Sequence, residues 1–337
     1  MAEAETKAGM FLRRAECVAY WGAVAPLAAC LPGWLAYRVA CWRGDWDRWM
    51  WPQKHAEIVR HLGQVLGDEV SGDEVRRLAR ELFRFRSCEI MDVMRLRGRA
   101  RPLQRLVEIR GREHLEAALA GGKGAILCSG HFGSVNSAFS LVNAIGYPVT
   151  TIGQWDWTYD PTVSSAERRF WDFAFSRRVL RHRAQPNIQP WPRRFDAAVR
   201  AAAVLRNNEF VTIASDAAPL AADQARSLVV PFLGRKARLL PGAVSIAKVT
   251  SAPVLMVFLH RSADYRHQTL EISPPVPMEG DTETAFGRCV AAIDAAIMRN
   301  PASWNLWFET EALIRLGLVP ATPPAETTAG ELQQSTR

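Results

Sequence analysis

The chain has 337 residues, of which 48% are hydrophobic and 23% are charged. These proportions are ordinary for a folded protein and exclude a chain that is disordered throughout, and the length suffices for one large domain or two modest ones. Lys and Arg together number 42 against 34 Asp and Glu, and the formal net charge of +8 favours a polyanionic partner: nucleic acid, anionic lipid headgroups or an acidic carrier protein.

The N-terminal segment is the most apolar part of the chain. The 21 positions from Cys17 to Tyr37 carry no charged residue, a length that suffices to cross a bilayer, but prolines and glycines interrupt them. Trp42, Trp46 and Trp49 follow at helical spacing, and indole rings favour the headgroup zone of a membrane. We therefore predict that residues 1–52 form a bent anchor, either membrane-embedded or interfacial. The alternative is a buried helical hairpin with a Trp-rich core.

The remainder predicts an α/β domain over residues 53–319, with a helical, amphipathic part at 53–97 and a disordered tail at 320–337. Short apolar runs then alternate with helical stretches, which predicts a mixed, largely parallel central sheet flanked by helices. The predicted strands are 107–110, 124–129, 149–152, 210–214, 228–232, 254–259 and 269–273. The predicted helices are 113–120, 133–145, 164–180, 194–206, 242–249 and 284–298.

One predicted strand carries a histidine directly after its carboxyl end. The sequence runs Cys128-Ser129-Gly130-His131-Phe132-Gly133, and a helix is expected to begin at once. Ligands of open α/β sheets bind at this end of the strands, and flanking glycines leave the imidazole accessible. The positive end of the following helix is expected to disfavour the imidazolium and so keep a neutral base.

The chain resembles the late acyltransferases of lipid A biosynthesis, the lauroyl/myristoyl family, and their mycobacterial phosphatidylinositol mannoside relatives. The resemblance covers about residues 10–312. It includes the histidine box, the apolar N-terminal segment with its prolines, and four further pieces in the same order: 208–216, 229–238, 240–243 with 252–254, and 301–307.

The resemblance implies that His131 deprotonates an acceptor hydroxyl, which attacks an acyl thioester. The family has an acid five positions further on, but position 136 of this chain is Asn. The Asn136 side chain can orient the ring without stabilising its charge, so either another carboxylate compensates, or the protein is slow or inactive. Asp216, which also follows a predicted strand and matches a family acid, is the expected compensating carboxylate. The alternative is that Asp216 is only a turn or cap residue.

Basic residues are the expected phosphate ligands. The family has an arginine between the histidine box and the later acid, and Arg168, Arg178, Arg181 and Arg183 are candidates, with Arg183 favoured and Arg168 kept beside it. Arg235, Lys236 and Arg238 are expected to form a basic loop that contacts a phosphate of the acceptor or of the donor's phosphopantetheine arm. The alternative is that these three residues only form a solvated loop.

The resemblance further implies a glycolipid acceptor such as a lipid A precursor, and an acyl carrier protein or acyl-CoA as donor. It places the protein at the cytoplasmic membrane, with the catalytic domain facing the cytoplasm, in lipopolysaccharide biosynthesis. No cofactor or metal is required, and no motif supports nucleic-acid binding. The competing hypotheses are a degenerate acyltransferase fold that binds lipid or carrier protein without catalysis, favoured by Asn136, and an N-acyltransferase acting on a less usual acceptor.

The cysteines and the glycine-rich turn support no other chemistry. None of the cysteines forms a C-x-x-C pair, and most lie in apolar runs, which predicts reduced, buried thiols. Cys128 near His131 is therefore expected to be inert rather than nucleophilic. The Gly121-Gly122-Lys123-Gly124 turn precedes its strand and lacks the Ser or Thr of a phosphate-binding loop. The cysteines are Cys17, Cys30, Cys41, Cys88, Cys128 and Cys289.

Overall fold

The computed structural model describes residues 19, 23, 25–67, 70–95, 107–153, 187–188 and 194–321. The helices in chain order are α1 (Ala25–Cys30), α2 (Gly33–Met50), α3 (Pro52–Leu66), α4 (Gly72–Arg95), α5 (Arg112–Ala120), α6 (Val135–Ala144), α7 (Arg194–Arg206), α8 (Gly242–Thr250), α9 (Thr282–Arg299) and α10 (Thr310–Leu316). The strands are β1 (Val107–Arg110), β2 (Ala125–Ser129), β3 (Val149–Ile152), β4 (Asn187–Ile188), β5 (Phe210–Ala214), β6 (Leu228–Phe232), β7 (Arg235–Leu239), β8 (Val254–Arg261) and β9 (Gln268–Pro275).

Seven of the strands form one sheet in the order β1-β9-β8-β2-β5-β3-β4. All its neighbouring pairs are parallel except β8 and β9, which are antiparallel. The prediction of a mixed, largely parallel sheet flanked by helices is therefore confirmed. Strand β2 is central, and its side chains alternate between two apolar cores, with Ile126 on one face and Leu127 on the other.

Prolines divide the N-terminal region into separate helices. Pro32 precedes α2, and Pro52 occupies the first turn of α3, where its missing N–H costs nothing. The stretch predicted as helical at 53–97 forms α3 and α4. Among the described residues, no helix is long and apolar enough to cross a bilayer.

Helix α2 packs closely on α4. A β-carbon at Gly44 would lie 2.6 Å from the backbone oxygen of Phe83, so only glycine permits this approach. The contact also contains a buried polar network in which the hydroxyl of Tyr37 donates to the carboxylate of Asp92 at 2.6 Å. Asp92 also pairs with Arg261 of β8, which ties both helices to the sheet.

The outer face of α2 carries tryptophans. Trp34, Trp42 and Trp49 are 53%, 60% and 66% exposed, and Trp46 lies between the last two with its ring centroid 6.0 Å from that of Trp42. The alternative of a buried Trp-rich core is therefore wrong for these residues. The helical spacing of Trp42, Trp46 and Trp49, predicted from the sequence, is confirmed.

The segment 235–238 is a strand, so its prediction as a loop is wrong. Leu233 and Gly234 both have positive φ, 50° and 70°, and form a two-residue turn that pairs β6 with β7 in an antiparallel hairpin. Ala237 and Leu239 point into the core while Lys236 stays exposed. The predicted helix at 164–180 and the tail beyond residue 321 lie outside the described residues, as does the basic stretch 96–101.

Candidate active site

The site lies where β2 and β5 end side by side. The two strands are parallel, with Ser129 opposite Ala214, and the backbone N–H of Ser215 donates to the Ser129 oxygen at 2.8 Å. His131 follows β2 and Asp216 follows β5 at the same edge of the sheet. This is the edge at which α/β sheets bind ligands.

His131 and Asp216 form a direct pair. Nδ1 of the imidazole lies 2.7 Å from Oδ1 of Asp216, and the backbone N–H of His131 donates to Oδ2 at 2.6 Å. The Asp216 side chain is fully buried, whereas the His131 side chain is 36% exposed. The acid is thus sequestered behind a ring that substrate can reach, as general-base catalysis requires.

Two glycines allow this arrangement. A β-carbon at Gly130 would lie 2.7 Å from Oδ2 of Asp216, so any side chain there would displace the carboxylate. Gly133 has φ of +56°, and a β-carbon there would lie 2.2 Å from the backbone oxygen of Leu259. The two glycines were predicted to leave the imidazole accessible. They also let the backbone of the histidine turn approach Asp216 and Leu259 closely.

A segment after α9 holds the histidine turn from the other side. Phe132 and Trp304 form an antiparallel bridge. In it, the backbone N–H of Gly133 donates to the backbone oxygen of Ser303 at 2.7 Å, and the backbone N–H of Asn305 donates to the backbone oxygen of His131 at 2.9 Å. The indole N–H of Trp304 donates to Oδ2 of Asp216 at 2.7 Å. Residues 301–307 are part of the family resemblance, but the sequence predicts no role for Trp304.

The charges of the pair stabilise each other. Burial would raise the pKa of Asp216, but the facing His131 and the donors from Trp304 and the His131 backbone hold it below its usual range. Burial would likewise lower the pKa of His131, and the charge and hydrogen bond of Asp216 reverse this and raise it. The expectation that the helix end lowers the pKa of His131 is wrong, because α6 begins only at Val135 and Asp216, in direct contact with the ring, raises that pKa instead.

Asn136 is the second residue of α6. The ring nitrogen that the family acid was expected to bind is occupied by Asp216. The orienting role proposed for Asn136 stays a prediction, because its side chain lies outside the described part of the structure.

The predicted phosphate ligands are only partly described. Arg168 and Arg183 lie outside the described residues, as do Arg178 and Arg181. The guanidinium of Arg235 donates to the backbone oxygen of Gln64, and that of Arg238 to the hydroxyl of Ser227 at 3.3 Å. The hairpin that carries them is linked to the site through Phe232, whose ring lies 5.7 Å from that of Trp304. Their binding roles stay predictions.

Cys128 is a buried thiol of β2. Its Sγ lies 3.2 Å from the hydroxyl of Ser215, and its interaction with Cys289, together with burial, raises the pKa of the thiol well above its usual value. A thiol in this state is a poor nucleophile, which agrees with its interpretation as inert. Of the two side chains, only the imidazole of His131 is exposed enough to meet a substrate, and its catalytic role stays a prediction.

An accessible imidazole backed by a buried carboxylate can take a proton from a hydroxyl and return it to a leaving group. The family model for bacterial lipid A biosynthesis acyltransferases matches residues 11–311. A search of the curated proteins found no match. Because the family match extends from the N-terminal segment through the Trp304 segment, the chain belongs to the bacterial lipid A biosynthesis acyltransferase family.

Proposed function

We propose that the protein transfers a fatty acyl chain from an acyl thioester to a hydroxyl of a lipid A precursor or another glycolipid, with His131 as general base. The observation that carries the proposal is the 2.7 Å contact between Nδ1 of His131 and Oδ1 of Asp216. Family membership supports acyl transfer in lipid A biosynthesis.

The pair supports a mechanism without a covalent enzyme intermediate. Because Asp216 accepts the Nδ1–H, the lone pair of the neutral ring lies on Nε2, which removes the proton from the acceptor hydroxyl. The alcohol oxygen attacks the thioester carbonyl and forms a tetrahedral intermediate. Its collapse breaks the carbon–sulfur bond, and the leaving thiolate takes the proton from the imidazolium. The products are an ester and a thiol.

The alternative is a degenerate protein that binds lipid or carrier protein without catalysis, suggested by Asn136. Asp216 argues against it, because a buried, ionised carboxylate already stands at the ring nitrogen that a family acid would serve. Loss of the acid at position 136 therefore need not remove the charge that stabilises the imidazolium.

The donor is an acyl carrier protein thioester or acyl-CoA, both of which carry a phosphopantetheine phosphate. Arg235 and Lys236 are exposed at the start of β7, and Arg238 is half-buried on the same strand. Together with Arg183 and Arg168, these cations are proposed to bind phosphates of the donor or acceptor. Exchanging Lys236 for Glu should raise KM more than it lowers kcat.

The exposed face of α2 supports attachment at a membrane surface. Trp34, Arg38 and Trp42 follow one another at four-residue intervals, and all are exposed. Indole rings and an arginine on one helix face suit the headgroup zone of an anionic bilayer. We assign this face to the cytoplasmic side of the inner membrane, where the glycolipid acceptor resides.

The test is acyl transfer by purified protein in mixed micelles, with labelled acyl carrier protein or acyl-CoA and a lipid A precursor. His131→Ala should reduce transfer by about 10³-fold or more. His267→Ala is the matched control, because Nδ1 of His267 also lies 2.6 Å from a carboxylate, that of Asp264, but in an exposed turn. Equal activity of the His131 variant and wild type would refute the proposal.

A further inference from the structure

A second carboxyl group lies beside the histidine turn. Glu89, on α4, accepts two hydrogen bonds from the side-chain amide of Asn305, at 2.7 and 2.9 Å. The same amide nitrogen lies 3.2 Å from the backbone oxygen of Gly133, and the backbone N–H of Asn305 donates to the backbone oxygen of His131. Asn305 therefore joins Glu89 to both ends of the turn that carries the base.

Glu89 is only partly buried, and within the described part of the chain no Lys or Arg nitrogen forms an ion pair with its carboxyl. Two carboxylates near this end of α4 do form ion pairs, Asp92 with Arg261 and Asp45 with Arg84. Because Glu89 is partly exposed, it can stay in place without an ion pair, and its carboxyl is bound instead by Asn305, which contacts both ends of the histidine turn. An acidic group in this position is a candidate for a role at the site.

The surroundings of both groups set their ionisation. Facing Glu89 are Arg86 and Asp92 from α4 and Arg261 from β8, and burial outweighs the two cations and raises the pKa of Glu89 to about 8. The pKa of His131 is governed by burial and Asp216, and Glu89 and the exposed Glu309 add to its rise. The charge of Glu89 is therefore present on the alkaline side of neutrality and largely absent below it.

We propose that Glu89 is a positioning residue of the acyl-transfer site: through Asn305 it fixes the turn that carries His131, and in its ionised form it stabilises the imidazolium that forms during proton transfer. The proposal rests on His131 acting as the general base. Glu89 is not assigned a contact with substrate. It acts on the reaction through the imidazole and the backbone that holds it.

The test compares the pH dependence of kcat for wild type and Glu89→Gln. Glutamine keeps the shape and an acceptor oxygen for Asn305 but imitates only the neutral carboxyl. Between pH 6.5 and 7 the two proteins should agree within about twofold. Near pH 9 wild type should be about three- to tenfold faster, with an inflection near pH 8 that the variant lacks.

Glu81→Gln is the matched control. Glu81 lies two turns earlier on the same helix and pairs with Arg77, so its exchange should leave the pH profile unchanged. Asn305→Ala, which removes the link to the turn, should lower kcat about tenfold at every pH with little change in KM.

The outcomes separate this inference from the proposed function. If His131→Ala is inactive and Glu89→Gln lacks the inflection, the assignment of Glu89 holds. If His131→Ala is inactive while Glu89→Gln keeps the wild-type profile, or loses activity equally at every pH, Glu89 has no charge-dependent role and the inference is wrong. If His131→Ala retains full activity, both proposals fail.

Discussion

The indole of Trp304 and the carboxylate of Asp216 are joined by a hydrogen bond of 2.7 Å that fixes the acid independently of the imidazole. The indole shares Oδ2 with the backbone N–H of His131, which leaves Oδ1 for the ring. The facing imidazole lowers the pKa of the buried carboxyl most, and the two fixed donors lower it further and set its direction. The position of Asp216 is thus fixed by Trp304 and the His131 backbone as well as by the imidazole.

Exchanging Asp216 for Asn should lower kcat by about 10²- to 10⁴-fold, because the amide cannot neutralise the imidazolium and cannot accept at every position where Asp216 now accepts. The upper value is that of the Asp to Asn change in the serine-protease triad. Asp264→Asn, which alters the surface pair with His267, is the control and should change kcat less than twofold. A fully active Asp216→Asn protein would exclude Asp216 from catalysis.

The pH dependence of kcat/KM should reveal the same pair. In the proposed mechanism the neutral imidazole is the active form, and Asp216 raises the pKa of His131 above 6.5, so activity should rise with pH through a midpoint above 6.5. In Asp216→Asn the residual activity should have its midpoint at lower pH, because burial, which lowers the histidine pKa, is then no longer opposed by the carboxylate. If the midpoint does not move, a group other than His131 sets the rise of kcat/KM with pH.

Much of the site could be predicted from strand ends. The apolar runs before His131 and Asp216 identify two buried strands, and the parallel order that brings their ends together follows from the α/β pattern. Trp304 and Glu89 do not follow a predicted strand, so no sequence pattern identifies them. Each lies far from His131 in sequence, and its position depends on how α4 or the segment after α9 packs on the sheet. The sequence does not predict β7, because the charged residues at its start hide the alternation of polar and apolar positions that Ala237 and Leu239 continue.

Exchanging Asn136 for Asp tests whether the chain is degenerate. If Asp216 supplies the acid, wild type is already active, and Asn136→Asp should change kcat by less than about threefold. If the family acid is indispensable, wild type is inert in the same assay and the exchange restores transfer. Asn143→Asp, on the same helix near its other end, controls for the added charge. Rescue of an inert wild type would contradict the role proposed for Asp216.

The tryptophan face of α2 should govern binding to bilayers. The double variant Trp42→Ala/Trp49→Ala should bind anionic vesicles at least about tenfold more weakly, because two exposed indoles no longer insert between headgroups. Flotation with liposomes of phosphatidylglycerol and phosphatidylethanolamine measures this. Val249→Ser/Met298→Ser removes two exposed apolar side chains elsewhere and should bind as wild type does. If both double variants bind equally well, the face of α2 is not the attachment surface.

The buried network beneath that face should determine whether α2 stays in place. Tyr37→Phe removes a hydrogen bond to the buried carboxyl of Asp92, the partner of Arg261, and should lower the free energy of unfolding by about 1.5–3 kcal/mol. Asp92→Ala should cost about 3–5 kcal/mol, because it leaves the guanidinium of Arg261 buried without its partner. Urea denaturation measures both.

The control for Tyr37 is Tyr147→Phe, which deletes a phenol bonded to Glu116 at the surface and should cost less than about 0.5 kcal/mol. The two tyrosines lose the same atom and both donate to a carboxyl oxygen, so the difference between them isolates the effect of burial. Since Tyr37 joins α2 to α4, its loss should also make α2 exchange its amide hydrogens faster than the central sheet does. If α2 and β2 exchange at the same rate in Tyr37→Phe, the network stabilises the whole domain and not the attachment of this helix.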